Sequence, residues 1–508
     1  MKKRLVLLLC ALLCVGLLTG CWQAEPPEEE SPELLQPSDV PEENSGQSLL
    51  PEQLALPYAP DRSLDPVTCP DGMQQVVASL LCEGLFCLGP DFEPQPWLCA
   101  SYTANEDFTS YAFSLRENVT FSDGSPLTAA DVRATLDRAR SSERYRARLS
   151  GITAVSAGEG AVTVTLSSPN SGLPALLDIP ILKAGSESAP VGTGPYLLSQ
   201  TESGDWLVAN QAWWRGTRHP TDRIALVEAA DQDTMLYRFT SRDVQLITAD
   251  LTGTSPISVT GNVSYQDTDT TVFQYIGCNV ARQPLDDPAF RRALSIAANR
   301  SRIVSAFLSG HGDAAQFPLS PASPLYPTEL ERSYSRDDLT AALGQSSYSD
   351  GRTLTLLVNS ENSFKTSVAN YLAESFTSAG ITVSVKVLPW EEYTAALAAG
   401  NFDLYYGEVR LSADWDLSAL LFSGGTLNYG GWSSETTDRL LAAFASTGDR
   451  AAAMSALCRH LQEQAPIIPV CFKSTSVLTQ TGVLENLVST AAEPFYGLTD
   501  CTVHLRKK

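Results

Sequence analysis

Residues 353–408 read TLTLLVNSENSFKTSVANYLAESFTSAGITVSVKVLPWEEYTAALAAGNFDLYYGE, and this stretch decides the fold class. Its apolar and alternating runs predict strands, and its apolar residues at helical spacing predict helices. Gly380 and Gly400 each follow a helical run, where glycine commonly ends a helix. Strands that alternate with helices in this way predict a parallel, doubly wound α/β sheet. The predicted elements, in chain order, are a strand at 353–358, a helix at 364–379, a strand at 381–387, a helix at 391–399 and a strand at 402–406.

Local signals support further elements in the first half of the chain. Thr128 is followed three residues later by Asp131, which is the arrangement of a capping box at a helix start. Gly192-Thr193-Gly194-Pro195 superficially resembles a dinucleotide-binding turn. It lacks the third glycine, and Pro195 has no N–H for a phosphate, so a tight turn before a strand at Tyr196 is favoured.

The N-terminus has the parts of an export signal. Basic residues at 2–4 precede an apolar run over 5–18, which is too short to span a bilayer comfortably. Leu18-Thr19-Gly20-Cys21 resembles the lipobox of bacterial lipoproteins, in which the cysteine takes a diacylglyceryl group and becomes the new N-terminus. We therefore predict a lipoprotein signal peptide at 1–20, lipidation of Cys21, and anchoring at the extracytoplasmic face of the cell membrane, which is periplasmic where an outer membrane exists.

Composition separates a tether from a folded body. Residues 21–52 are rich in Glu, Pro and Ser, which cannot bury enough apolar surface to fold, so a disordered acidic tether is predicted there. The chain of 508 residues carries a formal net charge of −23. This charge repels phosphate backbones and argues against nucleic acid as a partner. The remaining length predicts two or three domains.

Eight cysteines follow Cys21 in the chain. Export permits disulfides, but sequence cannot choose among the pairings, so bridges and free buried thiols are both open. Zinc is disfavoured, because there is no C-x2-C pair and no histidine near the first four. The eight are Cys69, Cys82, Cys87, Cys99, Cys278, Cys458, Cys471 and Cys501.

Catalytic motifs are absent from the sequence. There is no G-x-S-x-G elbow, no S-x-x-K signature and no phosphate-binding P-loop. The chain has 4 histidines, and no two of them have the spacing of metal ligands. We therefore predict that the protein is not an enzyme and that it needs neither a metal nor a cofactor.

Several motifs occur in a characteristic order. The most specific runs from Tyr111 to Val132, with Y-A-F-S-L-R followed by F-S-D-G and L-T-A-A-D-V. The others are Leu64-Asp65-Pro66, Glu83-Gly84-Leu85, Gly192–Tyr196, Asn210–Gly216, Asp286–Ala293, Tyr393–Asp403 and Pro466–Pro469. Over residues 60–480 the chain resembles the family 5 extracellular solute-binding proteins, the oligopeptide-, dipeptide- and nickel-binding class that serves ABC importers.

This resemblance implies a bilobal, periplasmic-binding-protein-like α/β fold (type II), with mixed sheets flanked by helices and an extra subdomain in lobe I. The chain would cross between the lobes near residues 270 and 475. A single copy, expected to act as a monomer, would enclose its ligand in the cleft between the lobes by hinge closure. The implied boundaries are 53–94, 191–270 and 475–508 for lobe I, 95–190 for the subdomain and 271–474 for lobe II.

The resemblance also implies which residues hold the ends of a ligand. Asp414 stands where peptide-binding relatives have a carboxylate that pairs with the ligand's α-ammonium. Trp415 follows it and would supply an apolar or cation–π wall. Dipeptide-specific relatives hold the ligand carboxylate with an arginine in the loop that corresponds to 359–365. This loop contains no arginine, so Lys365 is the expected substitute and dipeptide specificity is disfavoured.

Two further segments are implied as ligand contacts. Glu83 and Gly84 would lend backbone groups to the main chain of the ligand. Asn428 and Tyr429 stand where relatives line the cleft.

The implied function is capture of a peptide-class ligand for the permease subunits of an ABC importer. Three alternatives remain open at this point. The ligand could be a non-peptide solute such as a sugar or a metallophore, or the protein could be a peptide-sensing lipoprotein that signals to a membrane partner. An exported hydrolase is the third, and the missing catalytic motifs argue against it.

Overall fold

A computed structural model describes residues 50–70, 72–202, 204–216, 218–348 and 351–506. The predicted signal peptide at 1–20, the lipidation site Cys21 and nearly all of the tether at 21–52 lie outside the described residues. No helix in the described part of the chain is both long and apolar enough to cross a membrane.

The described elements are distributed over three main sheets with their helices. The α-helices are α1 (Met73–Leu81), α2 (Ala129–Ser141), α3 (Gln232–Thr240), α4 (Pro288–Ala297), α5 (Arg300–Phe307), α6 (Arg336–Gln345), α7 (Ser363–Ser378), α8 (Trp390–Ala398), α9 (Ser418–Leu421), α10 (Glu435–Ala445) and α11 (Arg450–Gln464). The strands are β1 (Ala55–Tyr58), β2 (Phe86–Leu88), β3 (Pro94–Pro96), β4 (Cys99–Ala104), β5 (Ser110–Leu115), β6 (Ile152–Ala157), β7 (Ala161–Leu166), β8 (Tyr196–Thr201), β9 (Gly204–Ala209), β10 (Arg223–Glu228), β11 (Leu246–Ala249), β12 (Val263–Cys278), β13 (Gly312–Ala314), β14 (Leu354–Asn359), β15 (Val383–Leu388), β16 (Leu404–Arg410), β17 (Ile467–Gln480), β18 (Leu484–Glu485) and β19 (Thr502–Val503). Short 3-10 helices occur at Leu173–Leu176, Thr328–Leu330 and Leu498–Asp500.

The first sheet has the strand order β1-β10-β9-β8. β1 runs parallel to β10, and the other neighbours are antiparallel. The turn at 192–195 packs against the end of α1, where a Cβ on Gly192 would lie 2.1 Å from the Leu81 carbonyl oxygen. Only glycine allows this approach, and β8 begins directly afterwards at Tyr196. The glycines therefore serve helix–strand packing, and the predicted strand at Tyr196 is confirmed.

The second sheet is antiparallel, with the order β4-β5-β7-β6, and is covered by α2. Val132 and Leu136 of α2 are buried in the cluster that this sheet contributes to. The Thr128 hydroxyl accepts the Asp131 backbone N–H, and the Asp131 carboxylate accepts the Thr128 backbone N–H at 3.0 Å. The predicted capping box is confirmed.

The third sheet contains residues 353–408, for which alternating strands and helices are predicted. Its strand order is β11-β17-β12-β16-β14-β15, with β13 added on β17. β14 runs parallel to β15 on one side and to β16 on the other, and α7 and α8 connect them. Leu356 and Leu357 point into different buried clusters, so β14 is covered on both faces, which explains its continuous apolar run. The predicted β-α-β-α-β unit is confirmed, although β12 and β17 run antiparallel and make the whole sheet mixed.

Two strands of the third sheet are unusually long. β12 has 16 residues and β17 has 14. They pair with each other along most of their lengths, and the register shifts between Asp269 and Phe273. Beyond this irregularity, residues 476–479 of β17 pair with β11. The irregular region coincides with the crossings implied near residues 270 and 475, and the domain boundaries themselves stay a prediction.

All eight cysteines beyond Cys21 are buried in the structure. The free thiols among them are those of Cys82, Cys87, Cys99, Cys278, Cys458, Cys471 and Cys501. Burial raises the pKa of these thiols, as at Cys82 and Cys458, which makes them poor nucleophiles. Within the described ranges, no group of three or more His, Cys, Asp or Glu side chains could hold a metal ion.

Candidate functional site

The segment that carries Asp414 forms a turn directly after β16. The Trp415 backbone N–H donates to the Ser412 carbonyl oxygen at 3.0 Å. Trp415 has a φ of 58°, a left-handed conformation that costs a bulky residue about 1–2 kcal/mol. Strained residues of this kind cluster at ligand-binding sites, where the surrounding structure holds them in place.

The Asp414 carboxylate is buried at a contact between two parts of the fold. It is 4% exposed. One oxygen accepts the Asn170 side-chain N–H at 2.8 Å, and the other accepts the Ser412 hydroxyl and the Asp416 backbone N–H. Because Asn170 follows β7 of the second sheet, a donor from the predicted lobe I reaches a carboxylate of the predicted lobe II.

The Trp415 side chain is buried and packs against other aromatic rings, and it does not form an exposed surface. Its ring lies edge-on to Phe92 at 5.2 Å and to Phe472 at 6.1 Å between centroids. Phe472 belongs to β17, and Phe92 follows β2. Trp415 thus joins the two predicted lobes close to the long strands, and its direct contact with a ligand stays a prediction.

Residues 170–172 dock onto the C-terminal end of α10. The Ser171 backbone N–H donates to the Ala445 carbonyl at 2.7 Å, and its hydroxyl donates to the Phe444 carbonyl at 3.2 Å. These bonds, together with the one from Asn170 to Asp414, make a short polar seam between the second and third sheets' layers.

Arg450, which the sequence does not distinguish from the other basic residues, lies in the same place. Its guanidinium donates to the Asp414 backbone carbonyl and lies over the Phe444 ring, 4.6 Å from the centroid. Gly172 packs against it, since a Cβ there would lie 2.7 Å from Arg450 Nη2. Burial lowers the pKa of the Arg450 guanidinium, and the charges of Asp414 and Glu93 oppose this shift.

Glu83 occupies a separate cluster on the lobe I side. Three indole N–H groups donate to its carboxylate, from Trp97 at 3.0 Å, Trp213 at 3.0 Å and Trp214 at 2.7 Å. The Thr193 hydroxyl donates to it as well, at 2.7 Å. Burial raises the pKa of the Glu83 carboxyl, and the four donors oppose that effect. The side chain is thereby fixed as a hydrogen-bond acceptor inside the protein.

The backbone at Glu83 and Gly84 is also engaged within the fold. The Glu83 carbonyl accepts the Ile181 N–H at 2.8 Å, and the Gly84 carbonyl accepts the Leu98 N–H at 3.2 Å. A Cβ on Gly84 would lie 2.9 Å from the Asp178 carbonyl oxygen, so this close approach requires glycine. Their predicted contact with the ligand main chain is not tested by these bonds and stays a prediction.

Lys365 lies in the first turn of α7, where the Asn362 side chain accepts its backbone N–H at 3.1 Å. Its ammonium is 3.1 Å from a Glu408 oxygen. Gln274 donates to the other Glu408 oxygen at 2.7 Å and accepts the Tyr406 hydroxyl at 2.6 Å. The charge of Lys365 is therefore balanced within its own lobe, and its predicted role toward a ligand carboxylate stays a prediction.

Asn428 and Tyr429 lie in the loop between α9 and α10. The Asn428 amide donates to the Phe422 carbonyl at 3.0 Å and the Trp432 carbonyl at 2.7 Å, so it organises its own loop. The Tyr429 ring is 36% exposed and lies edge-on to Tyr405. Of this pair, only Tyr429 presents a side chain toward solvent.

A comparison of the sequence with protein families now identifies the chain. Residues 93–428, more than half of the chain, match the model of the bacterial extracellular solute-binding proteins, family 5, middle. The chain belongs to the family 5 bacterial extracellular solute-binding proteins. This family 5 protein is 25% identical over 417 residues to the glutathione-binding protein GsiB of Salmonella typhi, which covers 76% of this chain and 81% of the relative.

Solved structures resemble the family 5 protein over most of its length. The structure of a nickel ABC transporter from Bacillus halodurans has a TM-score of 0.76 at 20% identity and covers 89% of this chain and 100% of that one. The unliganded open form of MppA, a periplasmic murein tripeptide binding protein, has a TM-score of 0.76 at 20% identity. The similarity covers 90% of this chain and 98% of that one. These similarities confirm the bilobal periplasmic-binding-protein fold.

The predicted contacts of the family 5 protein fall into three places. Asp414 and Trp415 lie where the predicted lobes meet. Glu83 and Gly84 lie within the tryptophan cluster of the predicted lobe I, and the remaining contacts lie in the predicted lobe II. The structure adds three residues that sequence reasoning missed, and they join Asp414 at the lobe contact. They are Asn170, Gly172 and Arg450.

Proposed function

We propose that this family 5 protein captures a peptide-class ligand in the cleft between its lobes and delivers it to the permease subunits of an ABC importer. The observation that carries the proposal is the buried Asp414 carboxylate, which accepts a hydrogen bond from Asn170 of the second sheet's layer. A buried carboxylate in a closing cleft suits the ammonium end of a peptide, because charge-assisted hydrogen bonds are strong where water is excluded. The names of relatives support a peptide-class ligand, since they include glutathione, a murein tripeptide and a nonapeptide.

Capture proceeds by movement of the two lobes about β12 and β17. With the lobes apart, the turn at 412–415 faces water and can accept a ligand. When the lobes close, residues 170–172 meet α10 and α11 and shield Asp414. Hinge closure of this kind commits the ligand and presents a defined surface to the permease.

The membrane anchor is the second part of the proposal. A diacylglyceryl group on Cys21 would hold the protein at the extracytoplasmic face, because two acyl chains give stable attachment. The chain expressed in bacteria should incorporate labelled palmitate and fractionate with membranes, and Cys21→Ala should release it. Membrane attachment of the Cys21→Ala chain would refute this part alone.

A binding screen tests capture directly. The panel contains di- to hexapeptides, free amino acids and sugars, and it is read by thermal shift and then by titration calorimetry. At least one peptide should bind saturably and change tryptophan emission, since Trp415 lies between Phe92 and Phe472 at the lobe contact. Binding of sugars without any peptide would refute the peptide class. Turnover of a bound peptide would refute a pure binding function.

A further inference from the structure

Some buried arginines with a structural role in this protein have a hydrogen-bond partner for every guanidinium nitrogen. Arg291 is the clearest example, being 1% exposed. Its guanidinium donates to the carbonyls of Leu285, Gln464 and Ala465, so that each of its three nitrogens has a partner. Arg450 differs, because its donors outnumber the acceptors that the described residues offer it.

The Arg450 Nε is buried and has no hydrogen-bond partner among the described residues. Arg148 and Arg238 share this feature, but each is paired with a carboxylate, Asp178 and Asp243 respectively. In the described part of the chain, Arg450 forms no ion pair. A guanidinium carries five N–H donors, and withdrawing a cation from water without an anion is costly. The negative charges of Asp414 and Glu93 act on Arg450, but among the described residues neither carboxylate accepts a hydrogen bond from its guanidinium. Arg450 therefore retains donors that a further anion can use.

Opposite charges lie side by side around Arg450. Its guanidinium bonds the backbone of Asp414, whose carboxylate is the predicted ammonium site. Glu93 adds a second negative charge within electrostatic reach. Tyr102 and Tyr111 of the second sheet also lie within electrostatic reach of Arg450. Their ring centroids are 6.3 Å apart, and Tyr102 is 43% exposed. The site thus offers a cation and an anion a few ångströms apart, with an aromatic wall open to solvent.

This pattern is complementary to a group that carries an ammonium and a carboxylate on one carbon. The N-terminus of an ordinary α-linked peptide carries only the ammonium, and its carboxylate lies at least one residue away, about 3.5 Å or more along the chain. A γ-linked glutamyl residue keeps both charges on its α-carbon. We propose that Arg450 binds the α-carboxylate of such a head group while Asp414 binds its α-ammonium, so that the protein selects ligands with a free α-amino-acid end. This proposal rests on the proposed function and specifies its ligand.

Two isomeric tripeptides test the proposal on the unaltered, full-length protein. γ-Glu-Cys-Gly has the free α-amino-acid end, and α-Glu-Cys-Gly has the same composition without it. Calorimetric titration should give about tenfold to a hundredfold tighter binding of the γ isomer, the effect of one or two hydrogen bonds between charged groups. The comparison needs no variant, so a folding defect cannot obscure it.

Variants then assign the preference to Arg450. Arg450→Gln should reduce the ratio of γ to α affinity to about threefold or less. Arg459→Gln removes an exposed charge from the same helix and should leave the ratio unchanged. Equal binding of the two isomers by the unaltered protein would overturn the proposal, as would an unchanged ratio in Arg450→Gln. If neither isomer binds while other peptides do, the head-group proposal fails and the proposed function stands.

Discussion

Glu83 shows how completely one carboxylate can be built into this fold. Its four donors come from three tryptophans and a threonine that are distant in sequence. Indole N–H groups can only donate, so they need an acceptor when buried. Glu83 supplies that acceptor to all three at once and, with Thr193, links the residue after β3, the turn before β8 and the segment after β9.

Replacing Glu83 by glutamine should destabilise the protein strongly. The Gln amide retains one acceptor oxygen, but its NH2 group replaces the other carboxylate oxygen. This new donor would face the indole and hydroxyl donors, which would lose their acceptor. We expect a loss of about 2–3 kcal/mol in the free energy of unfolding, the cost of leaving buried donors unpaired. Urea unfolding followed by tryptophan fluorescence measures it. Glu106→Gln, at an exposed position, is the control, and equal midpoints for the two variants would contradict the role assigned to Glu83.

The negative charge of Asp414 should contribute strongly to the affinity for a peptide. Asp414→Asn keeps the size of the side chain and removes its charge, so the affinity for the best peptide of the screen should fall by about 2–4 kcal/mol, or about 30-fold to 1,000-fold. Calorimetry measures the change. The neighbouring Asp416 is exposed and caps Ser418, so Asp416→Asn should bind normally. An unaltered affinity in Asp414→Asn would exclude this carboxylate from the site.

The sequence singles out Asp414 as a candidate ligand contact but does not indicate the residues that surround it. Asp414 is singled out by its place in the order of the motifs, which can be read from one sequence. Asn170 is 244 positions away and reaches Asp414 only because the predicted lobes touch. Arg450 is 36 positions away in the same predicted lobe and reaches Asp414 through the packing of α11. For Lys365 the obstacle is similar, since nothing in the loop 359–365 indicates that Glu408 on a neighbouring strand will neutralise it.

At the scale of elements, prediction depended on whether an element's pattern is local. The local apolar patterns of the sequence are sufficient to predict three elements and their order, namely β14, α7 and β15. The outer half of β12 has no such pattern, because residues 263–271 are mostly Ser, Gln, Asp and Thr and its extension depends on pairing with β17. The same reasoning applies to the loop at 170–172, whose importance comes from what it docks against.

Gly172→Ala tests that docking. The added Cβ would lie 2.7 Å from Arg450 Nη2 and 2.8 Å from Asp414 Cβ, so the loop would have to withdraw. Overpacking of this kind costs about 1–3 kcal/mol, so ligand affinity should fall about fivefold to a hundredfold. Small-angle scattering with saturating ligand should show less compaction than the unaltered protein.

Gly151→Ala is the matched control for this substitution. Gly151 lies in the same layer, and a Cβ there meets nothing within 4 Å. The two variants differ only in whether the added methyl group faces the other lobe. Equal affinities would show that the seam at 170–172 does not contribute to closure.

At the scale of the whole molecule, the long strands β12 and β17, which are predicted to join the lobes, carry a cluster of ionisable groups. His311 Nδ1 lies 2.9 Å from an Asp267 oxygen, and the Ser476 hydroxyl donates to the other at 2.5 Å. On β17, Lys473 pairs with Asp250 at 2.6 Å. The register shift of β12 begins in this region, so charge and irregular pairing coincide where the lobes would turn.

Asp269 makes the stability of this region depend on pH. Its carboxyl is hydrogen-bonded to that of Asp313, and burial, this bond and the Asp313 charge raise its pKa from 3.8 to about 7. Between those values the folded protein retains a proton that the unfolded chain has lost, so the stabilisation is complete below about pH 4 and disappears as pH rises through 7. Because Asp269 is partly exposed, we expect a loss of about 1 kcal/mol.

Asp269→Asn retains a hydrogen bond without titrating. Between about pH 4.5 and 7.5, the free energy of unfolding of this variant should therefore rise by about 1 kcal/mol relative to that of the unaltered protein, as measured by urea unfolding. Asp61→Asn, at an exposed position, should follow the unaltered protein, and the same behaviour in Asp269→Asn would show that the lobe-joining strands do not hold this proton.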